Sequence, residues 1–83
     1  MELLYFAWLR EKVGISGETV ALPEGVGDVS GLLEWLQGRG AGHAEALKDL
    51  SVVRVAVNQE FAGPRDPVSD GDEVALFPPV TGG

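Results

Sequence analysis

The sequence predicts an α+β protein of two layers, a mixed sheet of about four to five strands with one main helix on one of its faces. Three observations carry that expectation. Strand-like and helix-like stretches follow one another as strand, strand, helix, strand, short strand, strand, with no internal repeat or linker between them. Only one stretch bears a strong helical stripe. At 83 residues, 45% of them apolar, the chain suffices for one compact core and is too small for two.

The elements follow in order. Glu2 to Leu9 (ELLYFAWL) is a near-continuous apolar run rich in aromatic residues, closed by Arg10-Glu11-Lys12 and Gly14, and it reads as a buried strand. Glu18 to Leu22 alternates and stops at Pro23, which predicts a second strand joined to the first as a hairpin through Ile15-Ser16-Gly17. Asp28 is a candidate N-cap, and behind it Val29, Leu32, Leu33 and Leu36 fall at i, i+3, i+4 and i+7 of one helical face. The glycines of Gly38-Arg39-Gly40-Ala41-Gly42 end that helix, since each costs about 1 kcal/mol relative to alanine inside one. His43 to Leu50 suggests a short second helix. Val52 to Val57 (VVRVAV) is β-branched and predicts a third strand, which Asn58-Gln59 turns. Phe61 and Val68 mark a short edge segment around Gly63-Pro64. Asp70-Gly71-Asp72 is a further turn, and Glu73 to Phe77 (EVALF) is the last strand, halted by Pro78-Pro79.

A single helical layer covers one face of a sheet, yet the first strand is apolar on both. Leu3, Tyr5, Ala7 and Leu9 would point one way and Leu4, Phe6 and Trp8 the other; in the last strand Val74 and Leu76 oppose Ala75 and Phe77. Phe6, Trp8 and Phe77, joined by Phe61, are therefore expected to form an exposed patch that docks a partner. The alternative is that loops or the second helix cover these rings.

Composition excludes several functions. Six Lys and Arg against thirteen Asp and Glu give a charge of -7, which opposes non-specific nucleic-acid binding and suits a partner with a basic docking surface, solubility being the plainer reading. No cysteine is present, so there is neither a disulfide, a thiolate metal site nor a cysteine nucleophile. Neither a membrane-spanning apolar run nor a signal peptide is apparent, and the expected location is the cytoplasm. His43, the one histidine, reads as a solvated helix residue and no metal site is expected. Asp70, Asp72 and Glu73 lack the spacing of a calcium loop, Gly25 and Gly27 complete no phosphate loop, and Ser16, Ser30, Ser51 and Ser69 have no histidine relay.

The ending Phe77-Pro78-Pro79-Val80-Thr81-Gly82-Gly83 fits one mechanical purpose. Pro78 and Pro79 cannot continue a strand ladder and favour an extended conformation, so the tail is expected to project. The division is a domain over residues 1–78 and a flexible tail over 79–83. Pro78, Pro79, Val80 and Thr81 would thread a narrow channel in another protein, and Gly82 and Gly83, without side chains, would let it reach the terminal carboxylate. That carboxylate becomes reactive once activated, for example as an acyl-adenylate, and sulfur replacing AMP there gives a thiocarboxylate able to deliver sulfur.

At these residues the chain resembles the small subunits of molybdopterin synthase, sulfur carriers with the ubiquitin-like β-grasp fold. The resemblance runs through Tyr5-Phe6-Ala7 with Arg10-Glu11, Ala56-Val57-Asn58-Gln59, Asp70-Gly71-Asp72-Glu73-Val74-Ala75 and the Phe77-to-Gly83 ending, the last being the most specific. It implies that Gly83 is adenylated by a ubiquitin-activating-like enzyme that uses ATP, is thiolated from a sulfur donor protein, and inserts into the large synthase subunit of a heterotetramer. Two deliveries of sulfur to a cyclic pyranopterin phosphate then build the dithiolene of molybdopterin. The resemblance also places Phe6, Phe61 and Phe77 on the docking surface and Arg10 near the activating-enzyme contact, and it implies no cofactor bound by this chain. The rival readings are a carrier for thiamin thiazole synthesis, a protein modifier conjugated through Gly83, and a β-grasp binding module with an inert tail.

Overall fold

The computed structural model describes residues 1–79; the expectations for Val80, Thr81, Gly82 and Gly83 lie outside the described residues. The chain opens with a strand, β1, over Glu2–Tyr5, and there the expected strand stops. Phe6 is still extended and its N–H donates to the Leu76 carbonyl at 3.1 Å, but Ala7 takes φ 54° and turns the backbone into a helix, α1, over Ala7–Val13. The expected strand through Leu9 is therefore corrected. An apolar run alone does not separate strand from helix, and Leu9 reaches the core, fully buried, from a helical turn. Gly14 closes α1 in the left-handed region at φ 94°, its N–H donating to the Arg10 carbonyl at 2.8 Å.

Strand β2, Gly17–Thr19, runs antiparallel to β1 with Leu3 opposite Glu18, so the two are neighbours as expected, though joined by α1 rather than by a tight turn. Helix α2, Val29–Gln37, matches its sequence signals. The Asp28 carboxylate accepts the Gly31 N–H at 2.7 Å, a cap worth about 1 kcal/mol, and Val29, Leu32, Leu33 and Leu36 are all buried. The glycine-rich stretch then serves two helices. Gly38 ends α2, while Gly40 caps a short helix, α3, over Ala41–Ala46, and a 3-10 turn at Leu50–Val52 leads into strand β3, Arg54–Val57.

Strand β4, Glu60–Ala62, pairs with β3 through a two-residue turn in which Asn58 and Gln59 both have positive φ, 51° and 69°. That turn twists with the strands it joins. Val68, expected beside Phe61 in an edge segment, is instead a core residue in a loop. Strand β5, Glu73–Phe77, has the bounds the sequence suggests.

The sheet order is β2-β1-β5-β3-β4, with β1 and β5 parallel and the other pairs antiparallel. It is a mixed sheet of five strands. Leu3, Tyr5, Val55, Val74 and Leu76 project from its inner face into one cluster with Leu9, the α2 stripe, Ala46 and Leu47. Those contacts put the helices together on the inner face.

Candidate functional site

The outer face follows from strand alternation. Across the sheet, Leu4, Ala75, Ala56 and Phe61 stand in one row, each opposite the next. Phe77 and Arg54 form the adjoining row on one side, and Glu2 and Glu73 the row on the other. Beside the two small central alanines, the Phe61 and Phe77 rings approach one another with centroids 5.8 Å apart and a tilt of 51°. Phe61 is 81% exposed and Phe6 47%. Phe61 projects from strand β4, while Phe6 follows the end of β1 as the N-cap of α1.

Phe77 is also the last residue of β5, and the half-buried Pro78 and Pro79 follow it directly. Neither proline offers an N–H, so the ladder has to end here. The aromatic face thus reaches the root of the tail.

Two expected docking residues lie elsewhere. Trp8 does not share a strand face with Phe6: it sits on α1, half-buried against the core, and lines a cavity of about 200 Å³ with Lys12, Glu45 and Val52. Arg10 is exposed on the same helix and borders a separate hollow of about 310 Å³ with Glu11, Gly14, Ile15 and Ser16. The structure brings Phe61 and Phe77 together on the outer face, whereas Phe6 follows β1 as the exposed N-cap of α1 and Trp8 and Arg10 lie on α1 itself.

A polar cluster escaped sequence reasoning. The Glu18 carboxylate, 14% exposed, accepts the Tyr5 hydroxyl at 2.7 Å and the Arg39 guanidinium at 2.7 Å, and lies 2.8 Å from Nε2 of His43. Burial pushes the Glu18 pKa up, but the hydrogen bonds from His43, Tyr5 and Arg39 outweigh it and bring the carboxyl down to about 2. Burial and the bond to Glu18 together raise the Tyr5 phenol well above its usual range. His43 also meets the Tyr5 ring edge-on at 5.9 Å. The expectation of a solvated His43 is corrected, because a carboxylate from a distant strand lies against it. Nothing local in the sequence links residues 5, 18, 39 and 43; only the fold does. The cluster ties β2 to α3 rather than facing the aromatic patch.

Among the described residues no helix is long and apolar enough to cross a membrane. The ThiS family model matches residues 3–83. The chain is 40% identical over its whole length to the molybdopterin synthase sulfur carrier subunit of Escherichia coli, of which it covers 99%, and 32% identical to the human subunit of the same name, of which it covers 93%. Its structure is similar to that of Haloferax volcanii small archaeal modifier protein 1, with a TM-score of 0.75, 32% identity and 96% and 97% of the two chains covered. The architecture is the ubiquitin-like β-grasp, two layers of α+β.

Proposed function

Because this chain belongs to the ThiS family, together with the molybdopterin synthase sulfur carrier subunits it matches end to end, we propose that it is the sulfur-donating subunit of a molybdopterin synthase. Residues 1–78 act as the docking domain and residues 79–83 as the arm. An adenylating partner joins the Gly83 carboxylate to AMP, releasing pyrophosphate from ATP. Hydrosulfide released by a donor protein attacks the acyl carbon, the bond to the phosphate oxygen breaks, AMP departs, and the terminus is left as a thiocarboxylate. Pro78 to Gly82 thread the large synthase subunit, the thiocarboxylate sulfur bonds to a cyclic pyranopterin phosphate, and water cleaves the acyl–sulfur bond to return Gly83 to a carboxylate, twice per dithiolene. The observation that carries this reading is the aromatic face ending at Phe77, two residues before the arm begins, so that docking and delivery share one end of the sheet.

The test is mass spectrometry of the intact chain after incubation with an adenylating enzyme, ATP and a sulfur source. Exchange of one oxygen for sulfur at Gly83 is the expected result. An unchanged mass under conditions that thiolate an established carrier would remove the proposal. The likeness to small archaeal modifier protein 1 favours a second reading, in which activated Gly83 forms an amide with lysine amines of other proteins. Gly83 remnants on those lysines would identify it.

A further inference from the structure

The outer face is not electrically uniform along the strands. At the end where β5 begins, Glu2 and Glu73 are partners in register on adjacent parallel strands, and their carboxylates share the outer face. Glu2 takes a hydrogen bond from Thr19, and among the described residues no cation pairs with either carboxylate. Like charges placed side by side on a sheet oppose its stability. At the other end, where the tail leaves, Arg54 stands opposite Phe77. Its guanidinium spends one nitrogen on the Ser51 and Val53 carbonyls, at 3.1 and 3.3 Å, and no carboxylate among the described residues pairs with it. Between the two ends lie Leu4, Ala75, Ala56 and Phe61.

We infer that this face specifies the direction in which its partner docks: the partner is a protein surface whose apolar depression takes Phe61 and Phe77, flanked by a carboxylate over Arg54 and a cation over Glu2 and Glu73. Glu73 and Phe77 are four positions apart on β5, so the two rows stand about 13 Å apart along the strands. A partner turned end for end meets like charge at both rows and is rejected. The correct orientation places its channel beyond Arg54, where Pro78 and Pro79 leave the sheet. This inference rests on the docking reading given under Proposed function and adds to it a charge pattern and an orientation.

The experiment measures association of the full chain with the large synthase subunit of the same source, at 0.1 M and 1 M salt, over which the Debye length falls from about 10 to 3 Å. Arg54→Glu is expected to weaken binding about fivefold at the lower salt, with most of the loss gone at the higher, as for a charge pair at an interface rim. Glu2→Lys is expected to weaken binding in the same way while raising the melting temperature of the isolated chain, because it relieves the pair with Glu73. That opposition separates a docking role from a structural one. Phe61→Ala is expected to weaken binding at both salts, which tests the docking reading by itself. Loss with Phe61→Ala but wild-type binding by a folded Arg54→Glu or Glu2→Lys overturns the orientation code and leaves the docking face standing. Wild-type binding by all three overturns both. Should Arg54→Glu fail to fold, Glu2→Lys alone decides between these outcomes, since Glu2 is exposed at the opposite end.

Discussion

Glu18 gathers three side-chain partners around one carboxylate. Tyr5, Arg39 and His43 all direct polar atoms at its carboxylate, and they come from β1, the connection between α2 and α3, and α3. Because its folded pKa is depressed to about 2, its contribution to stability is present above the ordinary carboxylate value and is lost as pH falls toward 2. Glu45, Asp49 and Asp72 are shifted down as well and act in the same direction. Replacement by Gln isolates the share of Glu18: the stability measured by urea unfolding should fall by about 2 kcal/mol near neutral pH and by progressively less toward pH 2. A wild-type and variant pair whose difference stays constant from pH 6 to pH 2 would show that the charge is not what matters. None of this was legible in the sequence, since a side chain's partner across 13 to 25 residues is decided by topology and not by spacing.

At the level of elements, legibility followed the strength of local signals. Helix α2 could be read because a cap, a stripe and a glycine stop agree, and β5 because a turn and two prolines bracket five strand-forming residues. Helix α1 was missed for a physical reason. Its signals, basic residues in the last turn and Gly14 as the left-handed cap, were present but were outweighed by the apolar run preceding them. Two substitutions probe the connections. A methyl group on Gly42 would sit 2.6 Å from the Lys12 carbonyl oxygen and 3.1 Å from that of Val13, so Gly42→Ala should force α1 and α3 apart and cost about 2 kcal/mol in denaturant unfolding. Gln59 bears the opposite burden, a side chain in the left-handed region at φ 69°. Gln59→Gly completes the Asn-Gly turn and should stabilise the chain by about 0.5 to 1 kcal/mol, read as a higher melting temperature. An unchanged or lower melting temperature would mean that the freedom glycine gives the unfolded chain cancels the relief.

For the whole molecule, the sequence anticipated one uncovered sheet face, and register supplied its contents. Phe61 and Phe77 belong to it; of the residues counted along a strand that ends at Tyr5, Phe6 is the exposed N-cap of α1 and Trp8 lies within α1. The proposed division of labour between domain and arm has a direct consequence. Removal of Gly83 should abolish sulfur transfer while leaving the melting temperature within about 1 °C, because a projecting end adds little to packing. A lowered melting temperature would show that the end packs on the domain it is meant to leave.

The pairing of β1 with β5 joins the first strand to the last, in the middle of the sheet. Such distant pairing has to wait for closure of the whole loop between them, and during synthesis β5 is the last of the five strands to emerge. The sheet cannot be completed on the ribosome before β5 has been translated. A chain cut short before Glu73 would lack the strand that joins β1 to β3 and, with it, Phe77 and everything that follows, so under the proposed function it would have neither docking face nor end to activate. Correct folding thereby certifies that translation has passed β5.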